Sequence, residues 1–199
     1  MPQATEFDDT NLTLKLAQNS MSFNHDSLPM EAVEVARHCF LDWLGVTLAG
    51  STEPLTRILL EDAISAGGNP QATIIGDGRK VSMQQAALVN GSAGHALDYD
   101  DVHLLMPGHP TVPVVPALLA LAEHQGRGGK DFLTALVAGV EAECRVGTVM
   151  NQSHYGAGWH ATGTVGTFGA VAAAARLLGL DGEACANAMG IGGTQAAGL

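Results

Sequence analysis

Six ionisable side chains lie close together between Asn90 and Pro110, in a chain that carries few charges elsewhere. They are three histidines and three aspartates: His95, His103, His109, Asp98, Asp100 and Asp101. A carboxylate held near other carboxylates or among apolar side chains has a raised pKa, and beside an imidazole it can serve as a general acid or base. The competing interpretation is that Asp100 and Asp101 cap or solvate a turn, as loop aspartates often do. We interpret the group as a whole as functional.

A second polar segment, from Asn151 to Thr162, holds His154, Tyr155, Trp159 and His160. Helical patterns flank it on both sides, so we predict an irregular connection that is the partner of the first loop. Taken alone, His160 beside Trp159 could equally be a hydrogen-bonded packing residue. Two histidine-bearing loops in one chain favour a shared site.

Metal binding is an alternative chemistry for the first loop, because imidazole nitrogens and carboxylate oxygens are common ligands. The candidates are His95, Asp98, Asp101, His103 and His109. No recurrent ligand spacing such as HExxH is present, and we therefore predict no metal. The glycines that follow residue 162 form neither a dinucleotide-binding nor a P-loop pattern.

The composition is that of a globular domain. Of 199 residues, 46% are hydrophobic and 15% are charged, and the formal net charge of -11 with a pI near 4.9 argues against a nucleic-acid surface. The acidic N-terminus fits neither a secretory signal nor a transit peptide, and the apolar run 163–180 is interrupted by Arg176, so we predict no membrane span. Three widely spaced cysteines predict reduced, buried thiols and a cytoplasmic location.

Helical periodicity dominates the chain and predicts an all-α fold with at most a minor β-hairpin between Ala72 and Ser82. We divide the chain into an N-terminal segment, 1–26, and a helical domain, 27–199. A first helix should follow Ser27 and end at Gly50, and a second should run from Pro54 to the glycines at 67 and 68. Ser82 with Gln85 is a capping-box pair that should begin the helix leading into the histidine-rich loop.

The second half of the chain predicts further helices. Pro113 and Pro116 should lie near the start of a helix that stops at Gly126. A longer helix, from about Lys130 to Met150, should carry Glu141, Glu143 and Arg145 on its polar face. Residues 163–199 contain only three charged residues, so other protein must cover them, either in a homodimer or in further chain beyond residue 199.

Three ordered motifs resemble the MmgE/PrpD superfamily, which includes 2-methylcitrate dehydratase and cis-aconitate decarboxylase. The motifs are NGSAGHALDYDDVH, GHPTVPVVPALLALAE and GWHATGTVGTFGAVAAAARLLGL. The resemblance implies a mostly helical domain, a second lid domain beyond residue 199 that carries further active-site lysines, and a homodimer. It also implies cofactor-free lyase chemistry on small di- or tricarboxylates.

Residue by residue, the resemblance assigns Asp98 to a family active-site carboxylate and His109 and His160 to active-site histidines. Asp101 and His103, in the same loop, are predicted to bind substrate. Val102 stands where the decarboxylase branch has threonine, which favours a dehydratase of the 2-methylcitrate type. The alternatives are an epimerase, isomerase or decarboxylase of the same superfamily, then a metal-dependent hydrolase, then a non-catalytic helical dimerisation module. We therefore expect Asp98, His109 and His160 to converge on one cleft.

Overall fold

The computed structural model describes residues 11–197, without the side chains of residues 151 and 152. This part of the chain contains nine α-helices and one two-stranded sheet, which confirms the all-α prediction. The helices are α1 (Leu12–Ser22), α2 (Met30–Gly50), α3 (Pro54–Ala66), α4 (Met83–His95), α5 (Thr111–Gln125), α6 (Gly129–Gly156), α7 (Ala161–Thr164), α8 (Gly166–Leu178) and α9 (Gly182–Gly193). The strands β1 (Ala72–Thr73) and β2 (Lys80–Val81) pair antiparallel, with Ala72 opposite Val81.

Helix α5 lies at the centre of the main core. Its side chains Val114, Val115 and Leu118 are fully buried against Trp43 of α2 and Leu136 of α6. Fully burying an aliphatic side chain of this size contributes about 1.5–3 kcal/mol. Because α5 is held on several sides, the loop that precedes it is anchored at its C-terminal end.

The prediction that Pro116 lies near the start of its helix is wrong, because it is the sixth residue of α5. A proline there cannot donate the usual backbone hydrogen bond. The position is nevertheless buried at the contact with α4, where a Cβ at Gly91 would lie only 3.3 Å from Pro116 Cγ. The proline ring and the glycine allow α4 and α5 to approach closely.

Helix α6 differs from the prediction in length and in its faces. It continues to Gly156, so only residues 157–160 of the predicted irregular segment 151–162 lie outside helices. Glu143, predicted on the polar face, is fully buried. It is accommodated because α8 presents Gly166 and Gly169 towards it, and a Cβ at Gly169 would collide with the Glu143 carboxyl group.

Helix α1 lies within residues 1–26 and packs mainly against α9. Ala17 of α1 and Cys185 and Met189 of α9 are buried in one apolar cluster with Ala172 of α8. The charge-poor C-terminal part of the chain is therefore covered in part by α1. Ile191 of α9 stays 70% exposed.

Residues Ala161–Leu178 are apolar and long enough to cross a membrane by length and composition alone. More than half of the stretch is buried inside the domain, where α8 packs against α5 and α6. A core helix passes the same test, so the stretch gives only weak support for a membrane span.

Candidate active site

The centre of the candidate site is His95, the last residue of α4. The helix begins with the predicted capping box, in which the Ser82 side chain accepts from the Gln85 N–H and the Gln85 side chain accepts from the Ser82 N–H. A protonated imidazole at a helix C-terminus is stabilised by the helix dipole. The start and the end of α4 thus fix both the position of His95 and an environment that favours its charged form.

Asp100 lies behind two imidazole rings and is almost inaccessible, with its side chain 1% exposed. Its Oδ1 atom is 3.0 Å from Nδ1 of His95 and 3.3 Å from Nδ1 of His109. His109 Nδ1 also donates to the Asp100 backbone oxygen at 3.2 Å. Because oxygen acceptors face both Nδ1 atoms, each ring carries hydrogen there and leaves Nε2 for other contacts.

Asp98 lies on the open side of the same rings. Its side chain is 78% exposed, and its Oδ1 atom is 3.5 Å from His109 Nε2 and 3.9 Å from His95 Nε2. The backbone of Asp98 is left-handed, with φ of 52°. This conformation is uncommon for a non-glycine residue, and such residues occur often at functional sites.

His109 is held by the segment that follows α6. Its backbone N–H donates to Thr162 Oγ1 at 3.0 Å. The preceding residue, Gly108, makes this approach possible, since a Cβ there would lie 2.8 Å from the same Thr162 oxygen. One threonine of α7 therefore fixes the end of the first loop.

His160 immediately precedes α7 and completes the site. Its ring centroid lies 5.8 Å from that of His95, and the His95 ring lies 4.8 Å from that of His109. Tyr155, near the end of α6, contacts the His160 ring edge-on at 6.3 Å. The structure thus brings Asp98, His109 and His160 together around His95. We call these four residues with Asp100 the His–Asp cluster.

The electrostatic environment shifts the pKa values of two of the imidazoles in opposite directions. The hydrogen bond to Asp100 raises the pKa of His95 above its ordinary 6.5, against an opposing effect of burial. Burial lowers the pKa of His160 below 6.5, and repulsion from His95 and His109 lowers it further. The cluster therefore biases His95 towards the imidazolium form and His160 towards the neutral form, the two forms that acid–base catalysis needs.

Asp101 and His103 make their described contacts elsewhere. Both carboxylate oxygens of Asp101 accept from Thr111, from its N–H and from its hydroxyl, so that Asp101 caps α5. Burial is the main cause that raises the pKa of Asp101. His103 Nδ1 accepts from the Leu105 N–H and lies 3.6 Å from Cys144 Sγ. A role for either residue in substrate binding stays a prediction.

The loop between α4 and α5 is docked on α6. Met106 is fully buried, and a Cβ at Gly147 would lie 2.5 Å from its Cα and 2.7 Å from the Leu105 carbonyl oxygen. A backbone bridge between His103 and Gly108 closes the loop on itself. The loop that carries the cluster is thus supported by the rigid body of a 28-residue helix.

Four members of the cluster offer donor atoms within 4.8 Å of one another: His95, Asp98, Asp100 and His109. This set could hold a metal ion, and it differs from the sequence-based candidate set, which had Asp101 and His103 in place of Asp100. The contacts already formed between imidazole and carboxylate explain the grouping equally well without a metal.

Sequence reasoning undervalued two members of the cluster. Both belong to the six side chains interpreted as functional, but His95 was named further only as a metal-ligand candidate, and neither it nor Asp100 was assigned a role of its own. The available signal was that His95 and Asp100 flank Asp98 in the sequence. A turn directly after the end of α4 can bring the side chains of His95 and Asp100 into contact. The burial of Asp100 could not be read from its neighbours in sequence.

The chain is similar in sequence to several known proteins. Residues 14–199 match the family model described as the MmgE/PrpD N-terminal domain. The cis-aconitate decarboxylase-like protein oryM of Aspergillus oryzae is 35% identical, with 95% of this chain and 41% of that protein covered. A cis-aconitate decarboxylase of Aspergillus terreus is 28% identical over 96% of this chain and 40% of its own length. The human cis-aconitate decarboxylase is 31% identical over 80% of this chain and 34% of its own. The chain thus spans about two fifths of the length of these two Aspergillus relatives and about a third of the human one.

Proposed function

Because this chain belongs to the MmgE/PrpD family, we propose that it supplies acid–base groups of a lyase that acts on a small polycarboxylate. The observation that carries the proposal is the convergence of three imidazoles and two carboxylates, in which one imidazole is biased towards its charged form and another towards its neutral form. Asp98, His109 and His160 are the proposed catalytic residues.

The chemistry follows from what a carbon next to a carboxylate requires. In dehydration, a base takes the proton from that carbon while an acid protonates the departing hydroxyl group. In decarboxylation, the C–C bond to one carboxylate breaks, CO₂ leaves, and the remaining electron pair takes a proton from an acid. His160, which is biased towards its neutral form, suits the role of base, and His109, whose Nε2 lies beside the exposed Asp98, suits the role of acid.

Among substrates, we place a tricarboxylate such as cis-aconitate first, because the matched relatives are named for it. A dehydratase of the 2-methylcitrate type remains the alternative favoured by Val102. Both substrates have three carboxylates, so the same positively charged groups would serve either one.

The test is a substrate panel with the full-length protein: cis-aconitate, citrate and 2-methylcitrate, with products identified by NMR. We expect turnover of at least one member, and a rate lowered about 10²–10⁴-fold in Asp98→Asn and in His160→Gln. His124→Gln, on the exposed last turn of α5, is the matched control and should leave the rate unchanged. No turnover of any member, or wild-type rates in both variants, would refute the proposal.

A metal-dependent reaction is tested in the same assay. We expect activity to survive prolonged dialysis against a chelator. Activity that disappears on chelation and returns with a stoichiometric divalent ion would instead favour hydrolysis assisted by a metal at the four donor residues.

We further propose that the protein forms a homodimer. Several large apolar side chains remain on the described surface, including Leu104 at 84% and Val149 at 81% exposure. Exposed apolar groups of this kind favour association. Analytical ultracentrifugation should give a dimer, and a monomer at all concentrations would contradict this.

A further inference from the structure

His95 stands at the middle of the cluster, yet the catalytic scheme above gives it no contact with substrate. Its ring lies between those of His109 and His160. Its Nδ1 is occupied by Asp100, at 3.0 Å from one carboxylate oxygen and 3.2 Å from the other. Its Nε2 makes no hydrogen bond among the described residues, because Asp98, at 3.9 Å, is too distant.

We propose that His95 binds a carboxylate group of the substrate through Nε2–H, and that the buried Asp100 is the positioning residue that holds it for this role. The inference deepens the proposed function and rests on it. A polycarboxylate needs cationic donors, and in the described part of the cluster every recorded ion pair joins an imidazole to a carboxylate. His95 is the imidazole whose Nδ1 lies 3.0 Å from the buried Asp100 and whose ring stands at the C-terminal end of α4, and both contacts favour its cationic form.

Asp100 is suited to positioning because it is buried and contacts both rings. A carboxylate behind the Nδ1 atom fixes the tautomer and the ring orientation, as in other imidazole sites. With both Nδ1 atoms facing Asp100, the Nε2 atoms of His95 and His109 both face the open side, where Asp98 lies. A substrate carboxylate that enters from this side would meet the Nε2–H group of His95. Asp98 lies near that group but does not form a hydrogen bond with it.

The groups that face His95 are few among the described residues. Asp100 and Asp98 favour its charged form, while His109 and His160 lie beside the ring on the other elements. Removing Asp100 therefore leaves His95 beside two other imidazoles without the buried carboxylate behind it. Its affinity for an anion should then fall even though its own side chain is intact.

The experiment measures binding and turnover separately in the full-length protein. The probe is tricarballylate, a tricarboxylate with neither the double bond nor the hydroxyl group on which the lyase reactions depend. We expect His95→Gln to weaken tricarballylate binding in calorimetry, and to raise KM for the panel substrate, by about tenfold or more. We expect kcat to change much less. Asp100→Asn should weaken tricarballylate binding by a similar factor and, because Asp100 also contacts His109, should lower kcat more than His95→Gln does. His124→Gln should change neither constant.

A second readout separates positioning from a merely structural role. In protein with ¹³C-labelled histidine, NMR titration should show the pKa of His95 falling in Asp100→Asn, with the helical circular dichroism signal unchanged. A His95 titration that is the same in wild type and in Asp100→Asn would overturn the role of Asp100.

The two proposals fail in distinguishable ways. If the wild-type protein turns over a panel substrate and His95→Gln does not weaken tricarballylate binding, the assignment of His95 is overturned and the lyase proposal stands. Wild-type protein that binds tricarballylate through His95 but turns over no panel member would support the assignment and refute the lyase proposal. Wild-type protein that does not bind tricarballylate at all would overturn the assignment as well.

Discussion

Glu143 provides a quantitative test of the packing between α6 and α8. Its side chain is fully buried against Gly166 and Gly169, and neither carboxyl oxygen has a hydrogen-bond partner among the described residues. Burial raises its pKa well above the ordinary 4.5, and the nearby Asp101 raises it further. In the folded protein Glu143 therefore keeps its proton at pH values where the unfolded chain has lost it.

The raised pKa of Glu143 makes the folded state less stable as the pH rises. Above pH 4.5, and until the folded-state pKa is reached, the folded protein binds one proton more than the unfolded chain. The free energy of unfolding then falls by about 1.4 kcal/mol for each pH unit, as long as the folded carboxyl group stays protonated. Glu143→Gln has nearly the same size and does not titrate, so this contribution to the slope should disappear.

The assay is urea unfolding at half-unit steps between pH 5 and 8. We expect the difference in unfolding free energy between Glu143→Gln and wild type to move in favour of the variant as pH rises, even if the buried amide lowers stability at pH 5. Glu61→Gln, at an exposed position on α3, is the control and should follow the wild-type pH dependence. Parallel curves for wild type and Glu143→Gln would refute the buried neutral carboxyl group.

Three further outcomes follow from the structure. Because the pKa of His160 lies below 6.5 and that of His95 above it, kcat/KM should trace a bell that spans pH 6.5, and a maximum wholly outside that region would contradict the assignments. Gly147→Ala should lower stability by about 1–3 kcal/mol in thermal unfolding and reduce turnover, because the new methyl group meets the Met106 backbone. Gly190→Ala, with open space around its Cβ, should instead be neutral or stabilising by up to about 1 kcal/mol. Burial raises the pKa of Cys144 to about 12, so a thiol reagent at pH 8 should leave it unmodified in the folded protein, and labelling detected there by mass spectrometry would contradict its burial.

Local signals in the sequence were sufficient for most helix boundaries. Pro54 at the first turn of α3, the Ser82 and Gln85 capping box and the left-handed Gly126 after α5 each act through backbone geometry within a few residues. Such signals do not depend on what the helix packs against, and for this reason they can be recognised without a structure.

Features that depend on tertiary contacts were predicted poorly. Glu143 was assigned to a polar face because its neighbours in sequence are charged, but two glycines more than twenty residues away create the space that buries it. Asp100 and Asp101 are adjacent and chemically identical, yet one lies behind two imidazoles and the other caps α5. No local rule distinguishes them, because the difference arises from how α4, α5 and α7 meet.

The position of the three imidazoles along the chain has a consequence for biosynthesis. His95 and His109 leave the ribosome early, whereas His160 follows only after the whole of α6 has been made. The threonine that fixes His109 comes later still, at residue 162. Nascent chains that end before residue 160 contain His95 and His109 but have neither the third imidazole nor the threonine that supports the second. The cluster is therefore complete only after α7 has been made, and chains released earlier should be inert towards carboxylate substrates even where their helices are folded.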